Sequence, residues 1–122
     1  MSPLEQVALD TSVLVGLVDS RDIWHPAAVT LRDALKGAQA RMVYCDCVVS
    51  ETINVLARRA KERKRTSEFA ELLTQVGSQV PEDSIAWISL ETRRLYGEIM
   101  GLVRDSGGTL NFNDALVALG VS

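Results

Sequence analysis

The sequence predicts an α/β domain of three layers, with helices on both faces of a central parallel sheet. Short apolar runs at 6–10, 42–45 and 85–88 alternate with longer stretches of helical periodicity. That alternation marks parallel strands joined by helical crossovers. The runs are continuous instead of alternating with polar residues, as fits strands buried on both faces. The 122 residues leave room for one domain, 1–122, with a modest core.

The first strand, 6–10, ends at Asp10-Thr11-Ser12, and the hydroxyl of Thr11 or Ser12 is placed to start a short helix over 11–19. Asp19-Ser20-Arg21-Asp22 is turn-like. Pro26 suits the first turn of a second helix, along which Ala27, Ala28, Leu31, Ala34 and Leu35 recur at helical spacing until Gly37. Met42-Val43-Tyr44-Cys45 is the second strand, closed by Asp46, which is placed to cap the third helix. That helix carries Val48, Val49, Ile53, Leu56 and Ala60 along one stripe. At about 100° per residue, Glu51 falls on the flank of the stripe, beside Val55.

The basic run Arg58-Arg59-Ala60-Lys61-Glu62-Arg63-Lys64-Arg65 ends the third helix, where positive charge complements the helix dipole. A fourth helix, about 67–77, carries Phe69, Leu72, Leu73 and Val76 and completes a helical hairpin. Pro81 marks a break before the third strand, 85–88. Ser89 is a candidate cap for a helix through about Asp105, with Leu95, Ile99, Leu102 and Val103 facing inward. After a flexible turn at 106–108, Asn111 caps a last helix from Phe112 to Leu119, and Gly120 stops it. Val121-Ser122 then resembles the start of another strand, so the sheet is expected to be cut short at its C-terminal strand.

Composition narrows the function classes. A hydrophobic fraction of 47% with mixed charge excludes a disordered chain. Asp10 and Asp19 bracket the longest apolar stretch, well short of the roughly 20 residues a membrane span needs. No basic segment followed by an apolar one opens the chain, so the expected location is the cytoplasm. Cys45 and Cys47 are too close in sequence for an unstrained bridge and read as small buried residues. With a single histidine, His25, soft ligands for a zinc-type site are lacking, and His25 beside its proline is given no catalytic role. The net charge of −3 argues against a surface coated for nucleic acid, although the basic run concentrates positive charge in one place.

Three acids carry the candidate chemistry. Asp10 follows the first strand, Glu51 sits in the first turns after the second, and Asp114 opens the last helix. Ligands in open α/β sheets bind at the carboxyl ends of strands, where these acids can converge. Hard cations such as Mg²⁺ or Mn²⁺ need carboxylate oxygens, and phosphoryl transfer needs such a cation at the developing charge. Taken singly, each acid has an ordinary reading. Asp10 can cap a helix, Glu51 fits a solvated helix face, and Asp114 complements a helix dipole.

Leu9-Asp10-Thr11-Ser12-Val13-Leu14, Ser50-Glu51 with Asn54-Val55-Leu56, and Asn113-Asp114-Ala115-Leu116 appear in that order. Together they resemble the PIN-domain family, in particular the VapC-type toxin ribonucleases of toxin–antitoxin pairs. The resemblance spans essentially the whole chain. It implies a Mg²⁺- or Mn²⁺-dependent endoribonuclease with Asp10, Glu51 and Asp114 as metal-binding catalytic acids and Thr11 or Ser12 in support. It implies an RNA substrate, a small antitoxin protein and a homodimer, while the short apolar stretches leave no membrane association expected. It also implies a further strand bearing a fourth acid, whereas Asp114 is the last acid in the sequence. That departure supports an alternative, a catalytically impaired PIN-like module that binds RNA or protein.

Around this site, Arg58, Arg63 and Arg65 are candidate contacts to the RNA backbone, set against a plain solvated helix end. Trp24 and Trp87 can stack on bases, but core or dimer packing is the commoner use of such residues.

Overall fold

In the computed structural model, which describes residues 5–121, the three strands are all parallel and stand in the order β1–β2–β3. They are β1 (Gln6–Ala8), β2 (Arg41–Cys45) and β3 (Ile85–Ala86). Six helices accompany them: α1 (Thr11–Val18), α2 (His25–Gly37), α3 (Asp46–Glu62), α4 (Phe69–Gln79), α5 (Thr92–Asp105) and α6 (Phe112–Gly120). The expected α/β/α class is the one found. In register, Val7 lies opposite Met42, and Tyr44 lies opposite Ile85.

The core forms where α1 packs on α2 and α3, α3 packs on α4, and α5 packs on α6. Leu14, Tyr44, Cys45, Leu56, Ile99 and Leu116 are among its largest fully buried side chains. On α3 the buried stripe is Val48, Thr52, Leu56 and Ala60, one residue per turn. Thr52 fits there because its hydroxyl donates to the Val48 carbonyl at 2.7 Å. Tyr44 accepts from Gln79 of α4, which in turn accepts from Arg32 of α2, tying two helices to the central strand.

Several expectations are corrected. β1 is not buried on both faces: Gln6 and Ala8 are exposed and only Val7 is half-buried. The strand pairs with β2 along one edge, and no strand lies on its other edge among the described residues. β3 stops at Ala86, because Ile88–Glu91 wind into a 3₁₀ turn. Asp46 does not cap α3 with its side chain. It reaches across instead, accepting the backbone N–H groups of Ile88 and Ser89 at 3.0 and 3.2 Å and the Ser89 hydroxyl. Ser89 is therefore committed to Asp46 and does not cap α5.

His25 lies in the first turn of α2, not in a loop, and its Nδ1 sits 2.7 Å from the Gly16 carbonyl. A carbonyl only accepts, so Nδ1 carries the proton. Gly120 continues α6 instead of stopping it, and Val121 is the C-cap, not the start of a strand; Ser122 lies outside the described residues. No helix among the described residues is long and apolar enough to cross a membrane.

Candidate metal-binding cleft

The carboxyl end of β1 decides where the first acid goes. After Leu9 the chain leaves the sheet, and Asp10, in extended conformation, becomes the N-cap of α1. Its Oδ1 accepts from the Val13 N–H and the Ser12 hydroxyl, both at 3.0 Å. The cap is thus Asp10, not the hydroxyls of Thr11 or Ser12 expected from the sequence, and Ser12 acts by steadying Asp10. The carboxylate accepts the orphan Val13 N–H, the bond a capping hydroxyl would otherwise have to make.

The third acid is held in a matching way. Asn111 and Asp114 form a capping box at the start of α6. The Asp114 N–H donates to Asn111 Oδ1, and Asp114 Oδ2 accepts the Asn111 N–H. Glu51, one turn into α3, is exposed and has no hydrogen-bond or ion-pair partner among the described residues.

All three acids line one cleft of about 400 Å³, with Thr11, Ser12 and Asn113 beside them and Leu9, Val48 and Val117 among the apolar walls. Acids 41 and 63 residues apart in sequence (51 − 10 and 114 − 51) therefore share a surface. Asn113 stands in the last motif, where it is assigned no role of its own, yet it is a further polar residue of the cleft lining. The signal was its place beside Asp114 in the first turn of α6, which turns a second polar side chain to the same opening.

The donor set suits a hard divalent cation in kind, since it consists of carboxylate oxygens. One oxygen of Asp10, one of Asp114 and both of Glu51 have no hydrogen-bond partner among the described residues. The three are not drawn tight, however. No group of three His, Cys, Asp or Glu residues among those described is placed to hold an ion as it stands. Cys47, one turn before Glu51, offers no thiolate at neutral pH. Burial pushes its thiol pKa up, and the charges of Asp46 and then Glu51 add to the rise against two backbone hydrogen bonds that lower it.

The basic candidates separate. Arg58 lies two turns beyond Glu51 on α3 and shares a depression with it. Arg63 caps the far end of that helix. Arg65 is half-buried and turned toward Glu68 at 3.4 Å, so it is not free for a backbone phosphate. Arg59 was not singled out from the sequence, yet it carries the main ion pair of this region, 2.7 Å from Asp22 and 3.8 Å from Asp19. Trp24 and Trp87 are 64% and 55% exposed, which removes the core-packing reading for both.

A comparison with protein families matches residues 7–119 to the PIN domain. The chain belongs to the PIN domain family. PIN domains are generally nucleases and typically use divalent metal ions, and the matched residues include Asp10, Glu51 and Asp114. No curated protein and no solved structure matches the chain significantly.

Proposed function

We propose that this PIN domain is a Mg²⁺- or Mn²⁺-dependent endoribonuclease, and that it is the toxin of a toxin–antitoxin pair, neutralised by a small antitoxin protein in the cytoplasm. One observation carries the enzymatic reading: three carboxylates from separate elements line a single cleft, each with a free oxygen. Asp10, Glu51 and Asp114 would hold the ion. A divalent cation there supplies Lewis-acid stabilisation of the charge that develops when a phosphodiester is hydrolysed in line.

The chain's own residues account for the rest. Ser12 and the Val13 N–H hold Asp10 by one oxygen, leaving the other toward the cleft. The capping box does the same for Asp114. Glu51 is the unrestrained member, able to close on the other two. Without a cation, three carboxylates repel a phosphate, so RNA cleavage should cease in chelator. The motif likeness of 9–14, 50–56 and 113–116 to VapC-type toxins supports the toxin assignment. Exposed Trp87, Leu90, Tyr96 and Met100 support a homodimer through the helical surface.

A second reading, a PIN-like module that binds RNA or protein without cleaving, is favoured by the looseness of the acid cluster. Titration with Mn²⁺ and cleavage of a labelled single-stranded RNA, run on the native chain and on Asp10→Asn, separate the two. Saturable binding and EDTA-sensitive cleavage, both lost in Asp10→Asn, support the enzyme. Absence of both in the native chain overturns it in favour of the binding module. Growth arrest on expression, relieved by a co-expressed antitoxin, tests the toxin assignment.

A further inference from the structure

The acid cleft does not end at Glu51. Thr11, Ser12 and Glu51 also line a second depression of about 390 Å³, whose lining further includes Trp24, Arg58 and Arg59. We propose that this extension is a subsite for single-stranded RNA. An unpaired base stacks on the Trp24 indole while Arg58 holds a neighbouring phosphate. The proposal rests on the ribonuclease reading of the acids and adds what the substrate must look like.

Three features favour this occupant. Trp24 is 64% exposed, yet its backbone is firmly held. Its N–H donates to Asp22 Oδ2 at 3.0 Å, Asp22 Oδ1 accepts from Arg59 of α3 at 2.7 Å, and its carbonyl accepts the Ala28 N–H at 2.8 Å. A large apolar ring presented from a fixed turn loses little freedom on binding. Charge is the second feature. Arg59 is occupied by Asp22, whereas Arg58 has no ion-pair or hydrogen-bond partner among the described residues. Arg58 is thus the guanidinium of this depression that remains available to a phosphate.

Spacing is the third. Arg58 stands seven positions after Glu51 on one helix (58 − 51), about two turns or roughly 10 Å. The phosphate at Arg58 is therefore a neighbour of the one at the acids, not the same one. Stacking tolerates every base, because each has a π face, but needs a base that is not already stacked in a duplex. Single strands and loops are the expected substrate class.

The test uses Asp10→Asn, in which asparagine can keep the helix cap while cleavage is suppressed, combined with Trp87→Phe so that Trp24 is the only fluorophore of its kind. A short single-stranded RNA should quench the remaining tryptophan saturably, and the same sequence as a full duplex should not. By anisotropy with labelled RNA, Trp24→Ala should weaken binding at least about fivefold, Trp24→Phe much less, and Arg58→Gln should weaken it with a shallower salt dependence. Unchanged affinity in Trp24→Ala with an indole indifferent to RNA overturns the subsite and leaves Trp24 to a protein partner. Equal quenching by duplex also overturns it. Cleavage by the native chain with no Trp24 dependence sinks the subsite alone. Trp24-dependent binding without any cleavage sinks the nuclease reading alone.

Discussion

Asp114 and Asn111 exchange two hydrogen bonds within one helical turn. The Asp114 N–H donates to Asn111 Oδ1 at 2.8 Å, and Asp114 Oδ2 accepts the Asn111 N–H at 3.0 Å. The residue proposed to hold a cation is thus also half of a helix cap. Asp10 is in the same position, as N-cap of α1.

Charge and capping should therefore come apart in Asp10→Asn. Asparagine accepts the same amide bond, so urea denaturation should show a stability within about 0.5 kcal/mol of the native chain, while Asp10→Ala should lose about 1 kcal/mol. Mn²⁺ affinity should fall equally in both. A large stability loss in Asp10→Asn would mean that the charge, not the cap, holds the start of α1.

Asp19 is 3% exposed; its Oδ1 accepts the Arg21 N–H at 3.0 Å, whereas its Oδ2 has no hydrogen bond, and among the described residues its one ion-pair partner is Arg59 at 3.8 Å. Arg59→Met should destabilise the fold by about 3 kcal/mol, because it strands a buried carboxylate. Adding Asp19→Asn should restore part of the loss. Additive effects in thermal denaturation of the double variant would show that the two do not communicate.

Both of these arrangements bear on how far the sequence encodes the site. The gathering of Asp10, Glu51 and Asp114 was legible, because each falls just after a strand or at a helix start, and parallel strands bring such points to one edge. Strand and helix positions were also mostly visible, since continuous apolar runs and helical spacing are local patterns. Asp46 and Arg59 were not. Each finds its partner 42 and 37 residues away respectively, on an element whose approach no local pattern encodes. Asp46 was expected to serve its own helix because capping is the nearest use for an acid at that point. The exposure of Trp24 was equally hidden, because a tryptophan in a turn looks the same whether it faces the core or solvent.

Gly120 illustrates a third kind of hidden constraint. A Cβ there would stand 2.9 Å from the Ile88 Cβ, so α6 passes the 3₁₀ turn too closely for a side chain. Ile88 is β-branched and buried, and cannot swing away. Gly120→Ala should cost about 1–3 kcal/mol from overpacking, although alanine is the better helix former by about 1 kcal/mol. In an Ile88→Gly background, which alone removes that Cβ, the cost should shrink, as chemical denaturation of the double cycle would reveal.

Burial, with smaller contributions from Cys47 and Asp46, pushes the Cys45 thiol up from 9.0 to about 11. Between those values the unfolded chain has released a proton that the folded chain retains, so stability falls as pH rises through this window. The loss should be on the order of 2 kcal/mol by pH 11. Melting temperatures at pH 8 and 10 should drop more steeply for the native chain than for Cys45→Ala. Parallel slopes would assign the alkaline loss to other groups.

The sheet's register has a kinetic corollary. Gln6 pairs with Arg41 and Tyr44 with Ile85, so each ladder joins residues 35 and 41 positions apart (41 − 6 and 85 − 44). Strands of 3, 5 and 2 residues return few hydrogen bonds for closing such long loops. Nucleation is therefore expected between helices that are neighbours in sequence, α1 with α2, α3 with α4 and α5 with α6, before the ladders close. Probes on β1 and β3 should accordingly give φ-values near zero, and mutations there should chiefly speed unfolding.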